Sequence, residues 1–397
     1  MKSRISTGLC LAFFLFLAGC KGFWNLPPST TPSNPTTPTT LSSGVFYVLD
    51  QTTKQVVGYA ITSGTLGAIS GGTQTLSAAP FSIAVAPNGG FLYVGTVNGI
   101  YLFTIGSGGA LSTGNGGAPI STDIPAAMAI SGSWLVDAFN VSTGSVQMNA
   151  IPIDASLGTY TGPGGAPPSQ TFTVANAVVK QMVLSPDSAN LFVALGTGGT
   201  IVVPFASGNA NPLGATATTI PVANSGGSAL SVAVDPSTTP RLFYIGETLA
   251  VGASGGLRAF NYSPLGSATL TEATGSPIAS GGLSPNAILP LANGDYVYIA
   301  NGTGSTSAGN IAWFPITATG TAYTIATGKT VTSGIQPSGL AEDSTSNFVL
   351  AVSTGGTTNS GDPDLEAYTM SSGALTAALT RATGTDPVGA LAIAALP

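Results

Sequence analysis

Seven times, at a spacing of about fifty residues, this chain repeats one pattern. A proline or a small apolar stretch opens each copy. A short apolar-aromatic run follows, then a second such run, then a Thr/Gly-rich tail. A unit this short cannot bury its own apolar faces, so successive copies must pack on one another. The clearest copy spans residues 80–124. It holds SIAVAP at 82–87, the turn Asn88-Gly89-Gly90, FLYV at 91–94, IYLFTI at 100–105 and ALST at 110–113. Later copies open near Pro125, Val178, Ala229, Pro285 and Pro337. Their second runs begin at Trp134, Leu191, Leu242, Tyr296 and Phe348, and their third runs at Val146, Ile201, Leu257, Ile311 and Leu365.

Four segments per copy, rich in β-branched and aromatic residues and separated by Gly, Asn, Ser and Pro, predict four strands. A four-strand unit of this period predicts a propeller blade, and the whole an all-β, seven-bladed β-propeller of antiparallel strands. The runs lack polar/apolar alternation, which fits sheets covered on both faces. VFYV at 45–48 is a second strand without a first, and residues 387–394 are a first strand without a second. Pairing them completes one blade from both termini and closes the ring, which leaves no large unpaired sheet edge. A solenoid, the alternative, wants polar capping repeats, whereas this chain finishes on an apolar strand. Tyr93, Phe103, Trp134, Tyr298 and Trp313 fall at repeat-equivalent strand positions and are expected in the core between blades.

Residues 1–20 read as a targeting segment. Lys2 and Arg4 form a positive start, residues 5–17 are mostly apolar but too short to span a bilayer, and Leu17-Ala18-Gly19-Cys20 follows. That ending resembles the bacterial lipoprotein signal, which implies a lipid on Cys20 and a membrane partner. Lys21 stands where the inner-membrane retention signal has an aspartate, so the outer membrane is expected. Residues 21–43 contain PPSTTPSNPTTPTT and read as an extended tether of about 3 Å per residue. The propeller is then 44–397. It has no cysteine, so neither a disulfide nor a thiolate metal site is open to it. Losing Lys2 and Arg4 takes the formal charge from −6 to −8, with only 6% of residues charged. So sparse and acidic a surface excludes nucleic acid as a partner, because that contact needs clustered Lys and Arg.

The chain has no histidine. A Ser-His-Asp triad and histidine-ligated zinc are therefore excluded. Residues 252–256 fit G-x-S-x-G by composition alone, with no histidine to partner the serine. Gly328-Lys329-Thr330 lacks the first glycine of a phosphate loop, where Tyr323 stands. The remaining chemistry is carboxylate. Asp362, Asp364 and Glu366 alternate near Ser360 in a long loop before a third strand. Such a loop can offer oxygens to a hard cation, so calcium at Asp362 and Asp364 is the one cofactor considered. Asp50 and Glu247 fall in the equivalent loops of other copies. Long connections at 246–256, 301–310 and 353–364 suggest one loop-rich binding face. Asp50, Glu247, Arg258, Asn301, Asp362 and Asp364 are its candidate ligand contacts, and Glu247, Arg258, Asp362 and Glu366 its candidate catalytic groups.

LYVGT at 92–96, YIANG at 298–302 and LTEATGSPI at 270–278 resemble the seven-bladed lactonase-like propellers. That family contains a bacterial 6-phosphogluconolactonase and relatives with YVTN-type repeats, and the resemblance covers 45–397. It implies a lactone hydrolase with polar and charged residues, histidine among them, around the central channel. No histidine of this chain can match that part of the pattern. The reading taken is a tethered, non-catalytic envelope module whose loop-rich face binds a glycan, a peptide or an envelope protein. A carboxylate-based lactonase is the alternative, and a structural surface-layer role a second one.

Overall fold

A computed structural model describes residues 44–397 except 163–164, 238–240, 263–269, 305, 320–321, 327, 356–362, 372, 382–385 and 388. Cys20, the targeting segment and the tether lie outside the described residues, as does Asp362. The strands form seven antiparallel sheets. Blade 1 is Pro80–Val85, Phe91–Thr96, Gly99–Ile105 and Leu111–Thr113, from the axis outward. Blades 2, 3 and 4 begin on the inner strands Ala127–Ile130, Gln181–Leu184 and Ser228–Val234, and blades 5 and 6 on Ser284–Pro290 and Pro337–Glu342. Blade 7 closes the ring. Its inner strand Ala390–Ala395 comes from the end of the chain and pairs with Val45–Asp50, placing Phe46 opposite Ala395 and Asp50 opposite Ala390.

The second strands show why the runs are apolar throughout. Successive side chains point to opposite faces, and each face meets a different blade. Leu92 and Val94 pack with Tyr47 and Leu49 of blade 7, while Tyr93 packs with Leu135 and Ile151 of blade 2. Seven apolar clusters result, one in each seam between neighbouring blades.

The recurring tyrosine has a second task. A buried hydroxyl needs a partner, and three of these tyrosines find it in the next blade. Tyr47, Tyr93 and Tyr298 donate to the carbonyls of Gly109, Gly158 and Gly373 at 2.9, 2.9 and 2.7 Å. Those glycines take φ of 84°, 71° and 74°, in the left-handed region. A β-carbon at Gly158 would sit 2.7 Å from Phe91, so a larger residue there would also clash. Trp134 is half-buried and donates from Nε1 to the Ser207 carbonyl, while Phe103 and Trp313 are buried in seams.

A side-chain hydrogen bond to backbone crosses every seam. Gln51 reaches the Pro80 carbonyl, Ser82 that of Pro125, Asn140 that of Ala177, Ser231 that of Pro285, Asn286 that of Pro337 and Ser338 that of Ala390. In the seam between blades 3 and 4 the direction reverses, and Gln181 accepts from the Val232 N–H. The prolines that open the copies thus present their carbonyls to the preceding blade. Each bond contributes about 1 kcal/mol net, and every seam carries at least one.

Candidate functional site

The inner strands carry a repeated irregularity. In blades 1, 4, 5, 6 and 7 the pairing of the first two strands slips by one residue, leaving Phe81, Leu230, Asn286, Ser338 and Leu391 without a partner. Blade 3 shows the same step, since the Val178 N–H bonds the Leu195 carbonyl and the Lys180 N–H bonds that of Ala194. A β-bulge re-aims a side chain, and here the bulged residues turn toward the axis. Together with Ala126 they line an axial cavity of about 260 Å³ to which all seven blades contribute. Lys180 is the one charged residue in that lining. It is exposed, its stem lies against Gly196, and it belongs to none of the ion pairs among the described residues. The amide of Asn286 and the hydroxyl of Ser338 are committed to neighbouring carbonyls. Sequence reasoning missed Lys180, although it stands between the opening Val179 and Gln181 of its copy, where the other copies have Phe, Ala, Leu, Asn or Ser.

The residues singled out from sequence lie in the seams. Asp50, Glu247 and Asn301 occupy one repeat position, opposite the residue that opens the inner strand, and share it with Thr96 and Ser353. All five are buried. Asp50 accepts from the Thr53 N–H of its own turn at 2.9 Å. Asn301 donates to the Ser280 carbonyl at 2.7 Å, and its Oδ1 is one of four buried side-chain polar atoms without a partner among the described residues.

Glu247 and Arg258 do come together, in an ion pair of 3.0 Å. Neither lies in a loop. The span 246–256 is mostly the hairpin of Leu242–Val251 and Ser254–Asn261, because Gly252 takes φ 60° and turns the chain tightly. Likewise 301–310 is strand at both ends. Glu247 also accepts from the Ala223 N–H, and Arg258 donates to the Pro221 carbonyl and to Glu272. Arg258 stacks over Phe260 at 4.9 Å. Burial pushes the Glu247 carboxyl up, with the Ala223 N–H and Arg258 opposing. Burial works against the charge on Arg258, and the two carboxylates outweigh it. Every hydrogen-bonding group of the triad thus has a partner in the connection between blades 3 and 4 or within blade 4.

Asp364 is buried and accepts from the Gly389 N–H at 2.8 Å, and Glu366 accepts from Ser333 at 3.1 Å. These two belong to blade 6, with blade 5 between them and Glu247 of blade 4. No group of three or more metal-ligating side chains occurs among the described residues.

One more carboxyl pair, which sequence reasoning passed over, is Asp123 and Asp137 between blades 1 and 2. The signal for it is alignment of the copies. Asp137 faces Met128 of the inner strand, and the equivalent positions hold Val48, Val94, Val193, Ile245, Ile299 and Ala351.

No protein-family model matches the chain, and no curated protein sequence matches it. Solved structures do share its fold. The periplasmic gluconolactonase of Pseudomonas aeruginosa superposes with a TM-score of 0.65 at 17% identity, covering 90% of this chain and 100% of that one. A candidate 6-phosphogluconolactonase from Bacteroides uniformis gives 0.67 at 16%, covering 89% and 99%. A protein of unknown function from Desulfotomaculum acetoxidans gives 0.62 at 11%, covering 89% and 100%. At such identities the superpositions show a shared fold and no more.

Proposed function

We propose that this propeller takes a sugar lactone at its axial mouth and opens the ring by hydrolysis. The supporting observation is Lys180, a single unpaired cation that a β-bulge aims into an otherwise uncharged axial cavity. The likeness over nearly the whole chain to a protein named a gluconolactonase supports the substrate class. In this reading water adds to the lactone carbonyl, the ring C–O bond breaks, and the proton reaches the ring oxygen through solvent. The Lys180 ammonium steadies the developing oxyanion and then the product carboxylate, a contribution of about 10²–10³-fold. The lining of the cavity holds no carboxylate, so the further gain from a general base is missing.

That same lining favours a second reading, in which the mouth binds the ligand without turning it over. A pH-stat assay with glucono-δ-lactone separates the two. Hydrolysis above the buffer rate that Lys180→Met abolishes supports the enzyme. Saturable gluconate binding without turnover, lost in Lys180→Met, supports the binding module. Turnover or binding that Lys180→Met leaves unchanged removes the axial mouth from either account.

A further inference from the structure

Asp137 lies in the second strand of blade 2 and is completely buried. Its Oδ1 accepts from the Asn149 N–H at 3.2 Å, while Oδ2 has no donor among the described residues. The carboxyl of Asp123, in the connection from blade 1, is within hydrogen-bonding reach. Two carboxylates this close resist being charged together, and one proton shared between them satisfies both. Burial, first, and the charge of Asp123 push Asp137 up to about 8. At neutral pH Asp137 therefore keeps its proton.

Asp123 is only partly buried, and its Oδ2 accepts from the Ser121 hydroxyl at 2.6 Å. It takes part in no ion pair among the described residues. It opens on a cavity of about 420 Å³ walled by Pro119, Ile120, Ile151, Tyr160 and Pro167. We propose that this seam cavity is a binding site for an organic monocation, an ammonium group with an apolar body. The charge would rest on Asp123, and the body against Tyr160 and the aliphatic walls. An aromatic ring beside a carboxylate is favourable for such a cation. A divalent ion wants six or more oxygens, and the side chains of this cavity supply one carboxylate and three hydroxyls. An anion would be repelled, and a neutral polyol would leave the Asp123 charge uncompensated and meet mainly apolar wall. The site is separate from the axial cavity and does not depend on the lactone reading.

Isothermal titration of the full-length protein tests this with choline and phenethylammonium, against 3,3-dimethyl-1-butanol as the neutral counterpart of choline. At pH 7 both cations should bind saturably, the neutral probe about tenfold more weakly or worse, and added salt should weaken the cations. Asp123→Asn should lose about tenfold or more in cation affinity. Asp137→Asn should keep it, because the charge on Asp123 remains. Absence of saturable binding, equal binding of the neutral probe, or unchanged binding by Asp123→Asn overturns the site. Should Asp123→Asn fail to fold, the unaltered protein decides. Its choline affinity must rise several-fold between pH 6.5 and 9.5 as the pair takes its second charge, and a flat profile overturns the proposal.

Discussion

Replacing Asp137 by Asn should stabilise this protein, and increasingly so as pH rises. In the folded chain burial and Asp123 lift the Asp137 carboxyl from 3.8 to about 8. A group raised in this way favours the folded state fully below 3.8, and loses that advantage as pH climbs through about 8. Over that window the folded state holds a proton that the unfolded chain has released. Each pH unit costs about 1.4 kcal/mol, so at pH 7 wild type bears a penalty of about 4 kcal/mol. Asparagine has nearly the same shape, its amide N–H can donate to Asp123, and its carbonyl can accept from the Asn149 N–H. It removes the proton linkage without opening a cavity. Urea unfolding followed by tryptophan fluorescence at pH 4, 5, 6, 7 and 8 reads the difference directly. The two proteins should be nearly equal at pH 4 and separate steadily, with a gain of about 2–4 kcal/mol at pH 7 once relaxation of the seam is allowed for. Parallel profiles, or a variant weaker than wild type at pH 7, would show that Asp137 is ionised in the fold and that the shared-proton account is wrong.

Glu247→Ala should cost about 2–3 kcal/mol, because it takes from the buried Arg258 one of its two carboxylates, and Glu247→Ala with Arg258→Met should recover part of that. Glu272→Ala, at the more exposed end of the same network, should cost no more than about 1 kcal/mol, and urea midpoints of the four proteins decide. We also propose that Cys20 is lipidated and holds the propeller at the outer membrane. Cys20→Ser should then move the protein from the membrane pellet to the soluble fraction and remove the acyl mass from its N-terminal peptide, and an unchanged distribution would refute the anchor.

The wheel was legible because its code is repeated. Seven copies of an apolar run at one spacing announce sheets covered on both faces, and the orphan strands at 45–48 and 387–394 point to each other. What the repeat hid was the use of its polar residues. Asp50, Glu247 and Asn301 look like a loop-borne cluster in linear sequence. They are one repeat position seen in three blades, and the ring's symmetry sets them in three different seams. The span 246–256 looked like a loop because glycines interrupt it, yet a hairpin needs only one tight turn, which Gly252 supplies. Asp137 escaped notice for the opposite reason. It is a single acid inside an apolar strand, visible only when the seven copies are laid over one another.

Packing and chemistry are divided in this fold by the bulge. A paired strand residue must face a neighbouring blade, so its identity is fixed by the seam: Tyr93 fills one, Val94 the other. A bulged residue is released from that alternation and faces the axis instead. Where its side chain makes no bond to the next blade it can vary without disturbing either seam, as Phe81, Leu230 and Leu391 do, whereas Asn286 and Ser338 also bond the following blade. Lys180 is the member of this set with a charge, and its blade tolerates it because the ammonium is exposed at the cavity and needs no seam partner. Specificity in this propeller is therefore expected to follow the bulged positions, and stability the tyrosines, glycines and prolines that join one blade to the next.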